Sequence, residues 1–358
     1  MDIDRKIELI KLPPTEEIVT ENELRELLES QKHAVAYDGF EPSGLMHLGT
    51  GLVRTIKTND FVEAGVTFIL YIADWFAYLN RKLGGDIDLI RKAGEYFIEG
   101  WKAAGMKMDG VKIVWASDLI KREGYWETFL QISRSTTMKR VLRATTITGR
   151  KESEVREPAL LIYPLMQTTD IFMLNDGKGV DICQLGMDQR KVNMLAREIA
   201  EKLGKKKPIA IHHHLIAGLQ AGKRMGKDQV ELKMSKSKPE TAIFIHDSRE
   251  EIFDKIRKAY CPAKQVENNP LLDIAKNIIF RRFDRIEINR PEKYGGPTEA
   301  LSYEELERMF VGGEIHPVDL KEAVAEKLDE IISPIRSHFE KGKARELYEI
   351  VKNARVTR

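Results

Sequence analysis

Apolar segments of strand length alternate with helix-length segments along the first half of the chain, and this alternation limits the folds available to it. Residues 66–73 form an apolar run that is typical of a strand buried on both faces of a parallel sheet. A helical pattern follows over residues 87–104, and Val111, Ile113 and Trp115 then alternate as in another strand. The order predicts an α/β fold with a doubly wound parallel sheet, which binds ligands beyond the carboxyl ends of its strands.

Two polar segments far apart in the chain carry groups suited to phosphate chemistry. Residues 37–50, YDGFEPSGLMHLGT, predict a strand that enters a helix through a turn of small residues. That turn places His47 and exposed backbone N–H groups at a helix N-terminus, where phosphate binds. Residues 233–238, KMSKSK, contain Lys233 and Lys236, whose mobile ammonium groups can neutralise a polyphosphate as its charge rearranges.

Together these segments resemble the two signature motifs of class I aminoacyl-tRNA synthetases, known as HIGH and KMSKS. The resemblance implies a set of catalytic residues: His47, Thr50, Lys233 and Lys236. It also implies a set of ATP-binding residues: Gly44, His47, Gly49, Asp188, Lys233, Met234 and Lys236. Thr50 stands where the motif has its second histidine. We therefore expect Thr50 to contribute as an uncharged hydrogen-bond donor.

The composition indicates a soluble globular protein that holds polyanions through local patches. The 358 residues are 42% hydrophobic and 32% charged, and 58 basic against 56 acidic residues leave a formal charge of +2. Cys183 and Cys261 are the only cysteines, which favours a reduced compartment. The sequence shows no apolar signal core at its start and no run of membrane-spanning length. We expect a cytoplasmic protein.

A second polar cluster lies within an apolar helical segment. Tyr163, Gln167 and Asp170 fall at i, i+4 and i+7, on one face of the predicted helix. One interpretation is an amphipathic helix with these groups in water. The other is a buried helix whose polar groups bind a ligand, because the opposite face is also apolar and buried polar groups need partners. A strand over residues 180–183 is predicted next, followed by Asp188, which is well placed to bind a ribose hydroxyl.

The similarity becomes more specific when these clusters are combined. Over nearly its whole length the chain resembles the tyrosyl-tRNA synthetase family of the archaeal and eukaryotic type. The resemblance implies a set of tyrosine-binding residues: Tyr37, Gly39, Glu41, Tyr163, Gln167, Asp170 and Gln189. Within it, Tyr37 and Asp170 would hold the substrate phenol, and Tyr163, Gln167 and Gln189 the ammonium and carboxylate. We expect Asp170 to be a buried carboxylate with the phenol as its one obvious polar partner.

The resemblance implies a reaction in two steps. The tyrosine carboxylate attacks the α-phosphate of ATP, giving tyrosyl-adenylate and pyrophosphate, and the terminal ribose hydroxyl of the tRNA then takes the tyrosyl group. ATP is a substrate that arrives as its Mg²⁺ complex, and the sequence predicts neither a permanent cofactor nor a dedicated metal site. Phenylalanine would leave Tyr37 and Asp170 unpaired, so no editing domain is expected.

Several basic and aromatic residues are candidates for tRNA contact. In the resembling family, the corner after the active-site turn meets the acceptor stem, which implies roles for Arg190 and Lys191 with help from Arg143. Ordinary surface cations are the alternative interpretation for these three residues. The consecutive residues His212, His213 and His214 point to alternate faces of a strand, so we assign them a structural or surface role rather than a metal site.

The chain after residue 240 is predicted to be mostly helical. The family resemblance implies that Tyr294 and His316 sandwich an anticodon base while Asp319 hydrogen-bonds to its edge, since aromatic stacking is a common way to hold single-stranded RNA. We therefore predict a Rossmann-like catalytic domain over residues 1–240 and a helical anticodon-binding domain over residues 241–358. The first domain includes a helical insertion at about residues 120–160 and the KMSKS loop at about residues 225–240.

Three functions remain open at this point. The first is tyrosine–tRNA ligase, acting on L-tyrosine, ATP and tRNA(Tyr), with a homodimer implied by the family and the insertion as its interface. The second is tryptophanyl-tRNA synthetase, against which the Tyr37 and Asp170 pair argues. The third is a non-catalytic tRNA-binding paralogue, which the presence of His47, Lys233 and Lys236 argues against.

Overall fold

The computed structural model describes residues 1–31, 33–149, 154–220, 233–234 and 239–354. The elements up to residue 119 are α1 (Ile3–Lys11), β1 (Thr15–Val19), α2 (Glu21–Ser30), β2 (Val35–Phe40), α3 (Arg54–Glu63), β3 (Thr67–Ile72), α4 (Asp74–Leu79), α5 (Ile87–Ala103), β4 (Val111–Trp115) and α6 (Ala116–Leu119). The next are α7 (Tyr125–Ser135), α8 (Met138–Ala144), α9 (Pro158–Met173), β5 (Ile182–Gly186), α10 (Arg190–Lys202) and β6 (Ile209–His213). The last are α11 (Arg249–Arg257), α12 (Pro270–Asn277), β7 (Ile286–Ile288), β8 (Thr298–Ala300), α13 (Tyr303–Gly312), α14 (Pro317–His338) and α15 (Gly342–Lys352).

The main sheet has six strands in the order β1-β6-β5-β2-β3-β4. The five strands β6, β5, β2, β3 and β4 are parallel to one another. This confirms the predicted doubly wound sheet. Strand β1 pairs antiparallel with β6 at the edge, which the sequence did not indicate. The chain proceeds outward from β2 through β3 to β4 and then returns to β5 on the other side of β2. The switch point of the topology therefore lies between the carboxyl ends of β2 and β5.

Strand residues alternate between two cores, one on each face of the sheet. On β2, Ala36 and Phe40 belong to the core that includes α3 and α5, whereas Val35 and Tyr37 face the core formed with α7, α8, α9 and α10. Successive strand residues point to opposite faces, so covering both faces requires apolar residues at nearly every position. Strands β5 and β6 are accordingly buried throughout.

The helical insertion and the helical C-terminal region lie on opposite faces of the sheet. Helices α7 and α8 pack with α9 and α10 on the Tyr37 face. Helices α11–α15 contribute to the core on the other face, where α15 packs along α5. The small antiparallel pair β7 and β8 interrupts the C-terminal region, which was predicted to be mostly helical. Helix α2 begins with a capping box formed by Thr20 and Glu23, which is the arrangement that a Thr followed three residues later by a Glu indicates in a sequence.

None of the helices in the described part of the chain combines enough length with enough apolar character to cross a membrane.

Candidate active site

The turn after β2 is held in place by pairing with a segment from far along the chain. The N–H of Leu48 donates to the carbonyl of Ile243 (3.0 Å), and the N–H of Ile245 donates to the carbonyl of Met46 (3.1 Å). Gly44 has a φ of 121°, a conformation that favours glycine. A π-helical turn over Gly49–Val53 then leads into α3, so the predicted strand–turn–helix is present with a wider first turn than expected.

The ring of His47 is oriented by the turn itself. Its Nδ1 accepts from the N–H of Gly49 (3.1 Å), which in the neutral tautomer leaves the proton on Nε2, 3.4 Å from the hydroxyl oxygen of Thr50. A β-carbon at Gly49 would lie 3.0 Å from Cε1 of His47, closer than normal packing allows. The geometry therefore gives Thr50 a position from which its hydroxyl can fix the ring of His47.

The polar residues of α9 are buried, so the interpretation of a water-exposed polar face is wrong. Tyr163, Gln167 and Asp170 are 6%, 9% and 0% exposed. Helices α7, α8 and α10 pack against α9, and the same core includes residues of the sheet, so both the polar and the apolar face of α9 are covered. Burial of three polar side chains on one face requires internal partners or a ligand.

Asp170 has more polar neighbours than the sequence indicated. Its Oδ1 accepts from the hydroxyl of Tyr125 (2.7 Å). The expectation of a single polar partner is therefore wrong, since Tyr125 comes from α7 and Tyr71 lies on β3 beside Asp170. Burial raises the pKa of Asp170 to about 7, against the lowering effect of the hydrogen bond from Tyr125 and of the nearby hydroxyl of Tyr71. Sequence reasoning missed both tyrosines, and the only available signal was that Tyr71 occupies a strand adjacent to Tyr37.

Beside this carboxylate lies a cluster of buried polar atoms without normal hydrogen bonds. The hydroxyls of Tyr37 and Tyr71 and the Oδ2 of Asp170 have no hydrogen-bond partner within the described residues. Desolvation raises the pKa of both tyrosines well above the usual range, and the charge of Asp170 adds to this effect, so both remain neutral donors and acceptors. Gly39 leaves space here, because a β-carbon would make only ordinary contacts with Tyr71 (3.5 Å) and Tyr37 (3.8 Å).

A second group of polar residues near α9 forms a hydrogen-bonded frame. Glu41 accepts from the hydroxyl of Tyr163 (2.7 Å) and from the amide of Asn80 (3.1 Å). Gln167 donates its amide N–H to Oε1 of Gln189 (3.3 Å). These contacts bring residues from β2, α4, α9 and the end of β5 to one place, and Asn80 is a member that sequence reasoning missed.

Asp188 and Lys233 form an ion pair at the carboxyl end of β5. Burial alone would raise the pKa of Asp188, but the charge and hydrogen bond of Lys233 outweigh it and lower that pKa. A β-carbon at Gly186 would lie 2.6 Å from Oδ1 of Asp188, so a larger residue there would displace this carboxylate. Met234 is buried and its N–H donates to the carbonyl of Ile216 (2.7 Å). Lys236 lies outside the described residues.

A buried ion pair lies beneath this site, between strand β2 and helix α3. Asp38 on β2 is ion-paired with Arg54 of α3, and Arg54 also contacts Nδ1 of His213 (3.2 Å). Burial raises the pKa of Asp38 to about 7, although Arg54 acts in the opposite direction. Gln184 contacts the same nitrogen of His213 at 2.6 Å. This network was not predicted, because it joins β2, α3, β5 and β6.

The three consecutive histidines are bound separately within the fold, as their alternation predicted. His212 contacts Glu17 (2.7 Å) and Asn193 (3.0 Å) on one side of β6. His213 points to the other side, toward Arg54, and His214 pairs with Asp273 (2.8 Å). Among the described residues no group of three or more His, Cys, Asp or Glu side chains is arranged to hold a metal ion.

The candidate tRNA-contacting residues at the catalytic end are exposed. Arg190 forms a bidentate ion pair with Glu17 of β1, in which its Nε donates to Oε2 (2.8 Å) and its Nη2 to Oε1 (2.9 Å). Lys191 donates to the hydroxyl of Thr146 (2.9 Å). Arg143 is exposed on α8. The three lie on elements flanking the end of β5, and their roles stay predictions.

Of the C-terminal candidates, Tyr294 and His316 are exposed and Asp319 is partly buried, and His316 also caps the start of a helix. Tyr294 is 63% exposed, with the ammonium of Lys293 4.8 Å from its ring centre. His316 is the N-cap of α14, where its Nδ1 accepts from the N–H of Val318 (3.2 Å). Asp319 lies in the first turn of the same helix.

Known proteins resemble this chain in both sequence and structure. The family of class I tRNA synthetases for W and Y matches residues 29–333. The tyrosine–tRNA ligase of Thermococcus sibiricus is 46% identical over 381 residues, covering 100% of both chains. That of Saccharolobus solfataricus is 47% identical over 350 residues, covering 95% of this chain and 94% of the other.

Solved structures agree. Tyrosyl-tRNA synthetase from Pyrococcus horikoshii complexed with L-tyrosine has a TM-score of 0.91 at 41% identity, covering 99% of this chain and 100% of that chain. Tryptophanyl-tRNA synthetase from Aeropyrum pernix K1, at 19% identity and a TM-score of 0.68, shares the fold. This chain therefore belongs to the class I tRNA synthetases for tryptophan and tyrosine, and within them to the tyrosine–tRNA ligases.

Proposed function

We propose that the chain activates L-tyrosine with ATP and transfers it to the 3′ end of tRNA(Tyr). The observation that carries this proposal is the cluster formed by the hydroxyls of Tyr37 and Tyr71 and the Oδ2 of Asp170, which lack hydrogen-bond partners within the described residues. A phenol hydroxyl both donates and accepts, so it can pair with the carboxylate and with a tyrosine hydroxyl at the same time.

This cluster favours tyrosine over the competing aromatic amino acids. Phenylalanine brings no hydroxyl, so Tyr37 and Asp170 would remain buried and unpaired. Tyrosyl-tRNA synthetase is itself the established example of this effect, with a preference of roughly 10⁵, and we adopt that magnitude as the expectation. The indole of tryptophan can donate a hydrogen bond to Asp170 but has no lone pair to offer the hydroxyl of Tyr37.

The frame at the other end of the pocket suits the ammonium and carboxylate of the substrate. The carboxylate of Glu41 accepts from Tyr163, and the amide of Gln167 donates to Gln189, so these polar groups are held near one another by α9. We assign the ammonium to Tyr163 and Gln167, with Glu41 providing charge, and the orientation of the carboxylate to Gln189. Gly39 leaves room for the substrate backbone.

The turn at His47 is the proposed site of ATP. In adenylate formation a carboxylate oxygen bonds to the α-phosphorus and the bond to the bridging oxygen of pyrophosphate breaks. The substrate is already a nucleophile, so the protein aligns it and stabilises the spreading charge. The imidazole of His47 and the hydroxyl of Thr50 are suited to this, whereas the backbone N–H groups of Gly49 and Thr50 already donate within the turn. Mg²⁺ arrives with ATP as part of the substrate.

The ion pair between Lys233 and Asp188 indicates how the nucleotide enters. We infer that ATP separates the two groups, with Asp188 taking the ribose hydroxyls and Lys233 the leaving pyrophosphate. The pair keeps both charges compensated before ATP binds. The N–H of Met234 donates to the carbonyl of Ile216, which fixes the backbone next to Lys233. Lys236 is assigned to the pyrophosphate because the family resemblance implies that role.

The tRNA is proposed to contact both ends of the chain. Arg190, Lys191 and Arg143 would meet the acceptor end beside the catalytic pocket, while the C-terminal candidates would hold the anticodon. This assignment divides the chain into a catalytic domain over residues 1–240 and an anticodon-binding domain over residues 241–358. The exposed positions of Arg143, Arg190, Lys191, Tyr294 and His316 support it.

An apolar surface on the insertion supports a homodimer. Trp126 and Leu130 lie one turn apart on α7 and are 52% and 65% exposed, and Met138 on α8 is 62% exposed. We propose that the partner subunit covers this surface, because large apolar side chains grouped on one face are typical of an interface. The cysteines Cys183 and Cys261 are both unpaired, which is consistent with the cytoplasm as the proposed location.

The function is tested by ATP–pyrophosphate exchange with each of the twenty amino acids. We expect tyrosine alone to support strong exchange, with phenylalanine and tryptophan at least a thousandfold weaker in kcat/KM, on the order set by unpaired buried groups. Equal exchange with phenylalanine and tyrosine would reject the proposed pocket. Strong exchange with tryptophan would favour the alternative assignment.

A further inference from the structure

Both backbone groups of Met46, the residue before His47, are held by other parts of the chain. Its carbonyl accepts from the N–H of Ile245 (3.1 Å), and its N–H donates to the hydroxyl of Tyr96 (3.1 Å). Tyr96 lies on α5 and is 0% exposed. The position of the turn before His47 thus depends on a side chain from another element.

The hydroxyl of Tyr96 makes a second hydrogen bond that completes a chain of three groups. Its oxygen accepts from Met46, so its hydrogen is available to Nε2 of His246, 2.6 Å away. A histidine can accept only when that nitrogen is unprotonated. Burial lowers the pKa of His246 to about 3, with Lys352 adding to the effect, so the ring is neutral at ordinary pH.

The ring of His246 is held in turn by the C-terminal part of the chain. It packs against Phe339, with ring centres 4.5 Å apart at 82°, and against Tyr348 of α15, with ring centres 4.2 Å apart at 31°. Such stacked and edge-on contacts restrict the orientation of the ring. The C-terminal helix therefore fixes the acceptor for Tyr96.

We propose that Tyr96 and His246 are positioning residues for His47: they anchor the N–H of Met46 and thereby set the geometry of the phosphate-binding turn. Neither side chain needs to touch the substrate. The inference rests on the proposed function for its consequence in catalysis, because His47 is assigned to the ATP phosphates there. Through Tyr96 and His246, the C-terminal helix α15 is thus linked to the turn that precedes His47, although the two are about 300 residues apart in the sequence.

The first experiment replaces Tyr96 by phenylalanine, which keeps the ring and removes the hydroxyl. We expect Tyr96→Phe to lower the rate constant of adenylate formation about tenfold, the effect of one buried donor left unpaired, with the tyrosine Kd within about twofold. Tyr348→Phe is the matched control, since the hydroxyl of Tyr348 makes no hydrogen bond within the described residues. A rate constant for Tyr96→Phe equal to that of the control would overturn the proposal.

Two variants of His246 separate positioning from stability. His246→Gln keeps an acceptor near the place of Nε2 but loses the aromatic ring, whereas His246→Phe keeps the stacking and loses the acceptor. We expect His246→Gln to form adenylate faster than His246→Phe while being the less stable of the two. If activity followed stability instead, with His246→Phe the faster variant, His246 would have only a structural role.

Hydrogen–deuterium exchange provides a reading that does not depend on catalysis. The peptide covering residues 44–50 should exchange faster in Tyr96→Phe than in the unmutated protein and in Tyr348→Phe, because the N–H of Met46 loses its acceptor. Unchanged exchange would reject the anchor even if the proposed enzymatic function holds. Absence of tyrosine-dependent pyrophosphate exchange in the unmutated protein would reject that function while leaving the anchor to be judged by this measurement.

Discussion

At the scale of single residues, the environment of Asp170 links recognition of the substrate to its protonation. Burial raises the pKa of this carboxyl to about 7, despite the hydrogen bond from Tyr125. The proposed phenol would donate to the ionised form, because a carboxylate accepts more strongly than a protonated acid. Tyrosine should therefore bind more tightly to the ionised protein and lower the pKa of Asp170 on binding.

The sign of the pH dependence follows from this linkage. Below about pH 7 binding must remove a proton from Asp170, so the affinity for tyrosine should rise from pH 6 to pH 8 by about tenfold and level off above that. The measurement is titration calorimetry of tyrosine without ATP, in buffers of different ionisation enthalpy to count the released proton.

Asp38 supplies the matched control for that titration, because burial raises the pKa of its carboxyl to about 7 as well. Its partner is Arg54 rather than the proposed substrate site. We expect Asp38→Asn to retain the pH dependence of tyrosine binding. An unmutated protein with equal affinity at pH 6 and pH 8 would show that Asp170 does not titrate on binding.

At the scale of secondary-structure elements, a buried lysine joins three parts of the chain. The ammonium of Lys57 on α3 donates to the carbonyls of Ile10 (3.0 Å) and Leu12 (3.2 Å) at the end of α1, and to Asp60 (2.9 Å). Asp60 also pairs with Arg281 from the C-terminal region (2.6 Å). Burial lowers the pKa of Lys57 to about 8, while the charge and hydrogen bond of Asp60 act in the opposite direction.

Replacing this lysine should weaken the fold without touching the site. We expect Lys57→Met to reduce the free energy of unfolding by about 3 kcal/mol, since Asp60 would lose one of its two cationic partners and the carbonyls of Ile10 and Leu12 would lose their donor. Lys92→Met is the control, because Lys92 is a half-exposed member of an i,i+3 pair on α5 and should change stability by less than about 0.5 kcal/mol. Urea unfolding measures both, and similar losses in the two variants would contradict this reading.

At the scale of the whole molecule, the two ends of the proposed tRNA contact should separate in activity. His316 has two possible roles, since it caps α14 and is assigned to stack on an anticodon base. His316→Asn retains a capping side chain and removes the aromatic ring. We expect it to weaken tRNA charging by about ten- to a hundredfold, the loss of one base-stacking partner, while pyrophosphate exchange stays normal.

A companion variant separates the cap from the stacking. His316→Ala should lose tRNA charging equally and also cost about 1 kcal/mol of stability through the missing cap. Asp319→Ala should affect tRNA charging alone. The measurement is aminoacylation beside pyrophosphate exchange on the same preparations, and unchanged charging in His316→Asn would remove the ring from tRNA recognition.

The proposed dimer also belongs to this scale. The double variant Trp126→Glu, Leu130→Glu places two charges on the exposed surface of α7 and should give monomers of 41.0 kDa by analytical ultracentrifugation. Leu301→Glu is the control, because Leu301 is 61% exposed but lies outside the proposed interface. Sedimentation of the unmutated protein as a monomer would reject this interface.

Features that depend on neighbouring residues were predictable from the sequence alone. The parallel strands, the turn at His47, the capping box of α2 and the polar face of α9 all follow from local patterns of apolar, small and polar residues. The structure agrees with these patterns because the regularly spaced apolar residues from which each helix or strand was predicted are the residues that become buried in the core.

The pairing of distant groups was decided by the tertiary structure. Tyr125 reaches Asp170 across 45 residues, and Tyr96 reaches His246 across 150 residues. The order of the strands determines which side chains meet, and no period in the sequence encodes that order. The sequence thus determined the elements, the two motifs and the family, whereas the orientation of His47, the protonation of Asp170 and the pairing of Lys233 with Asp188 were set by burial and proximity in the assembled fold.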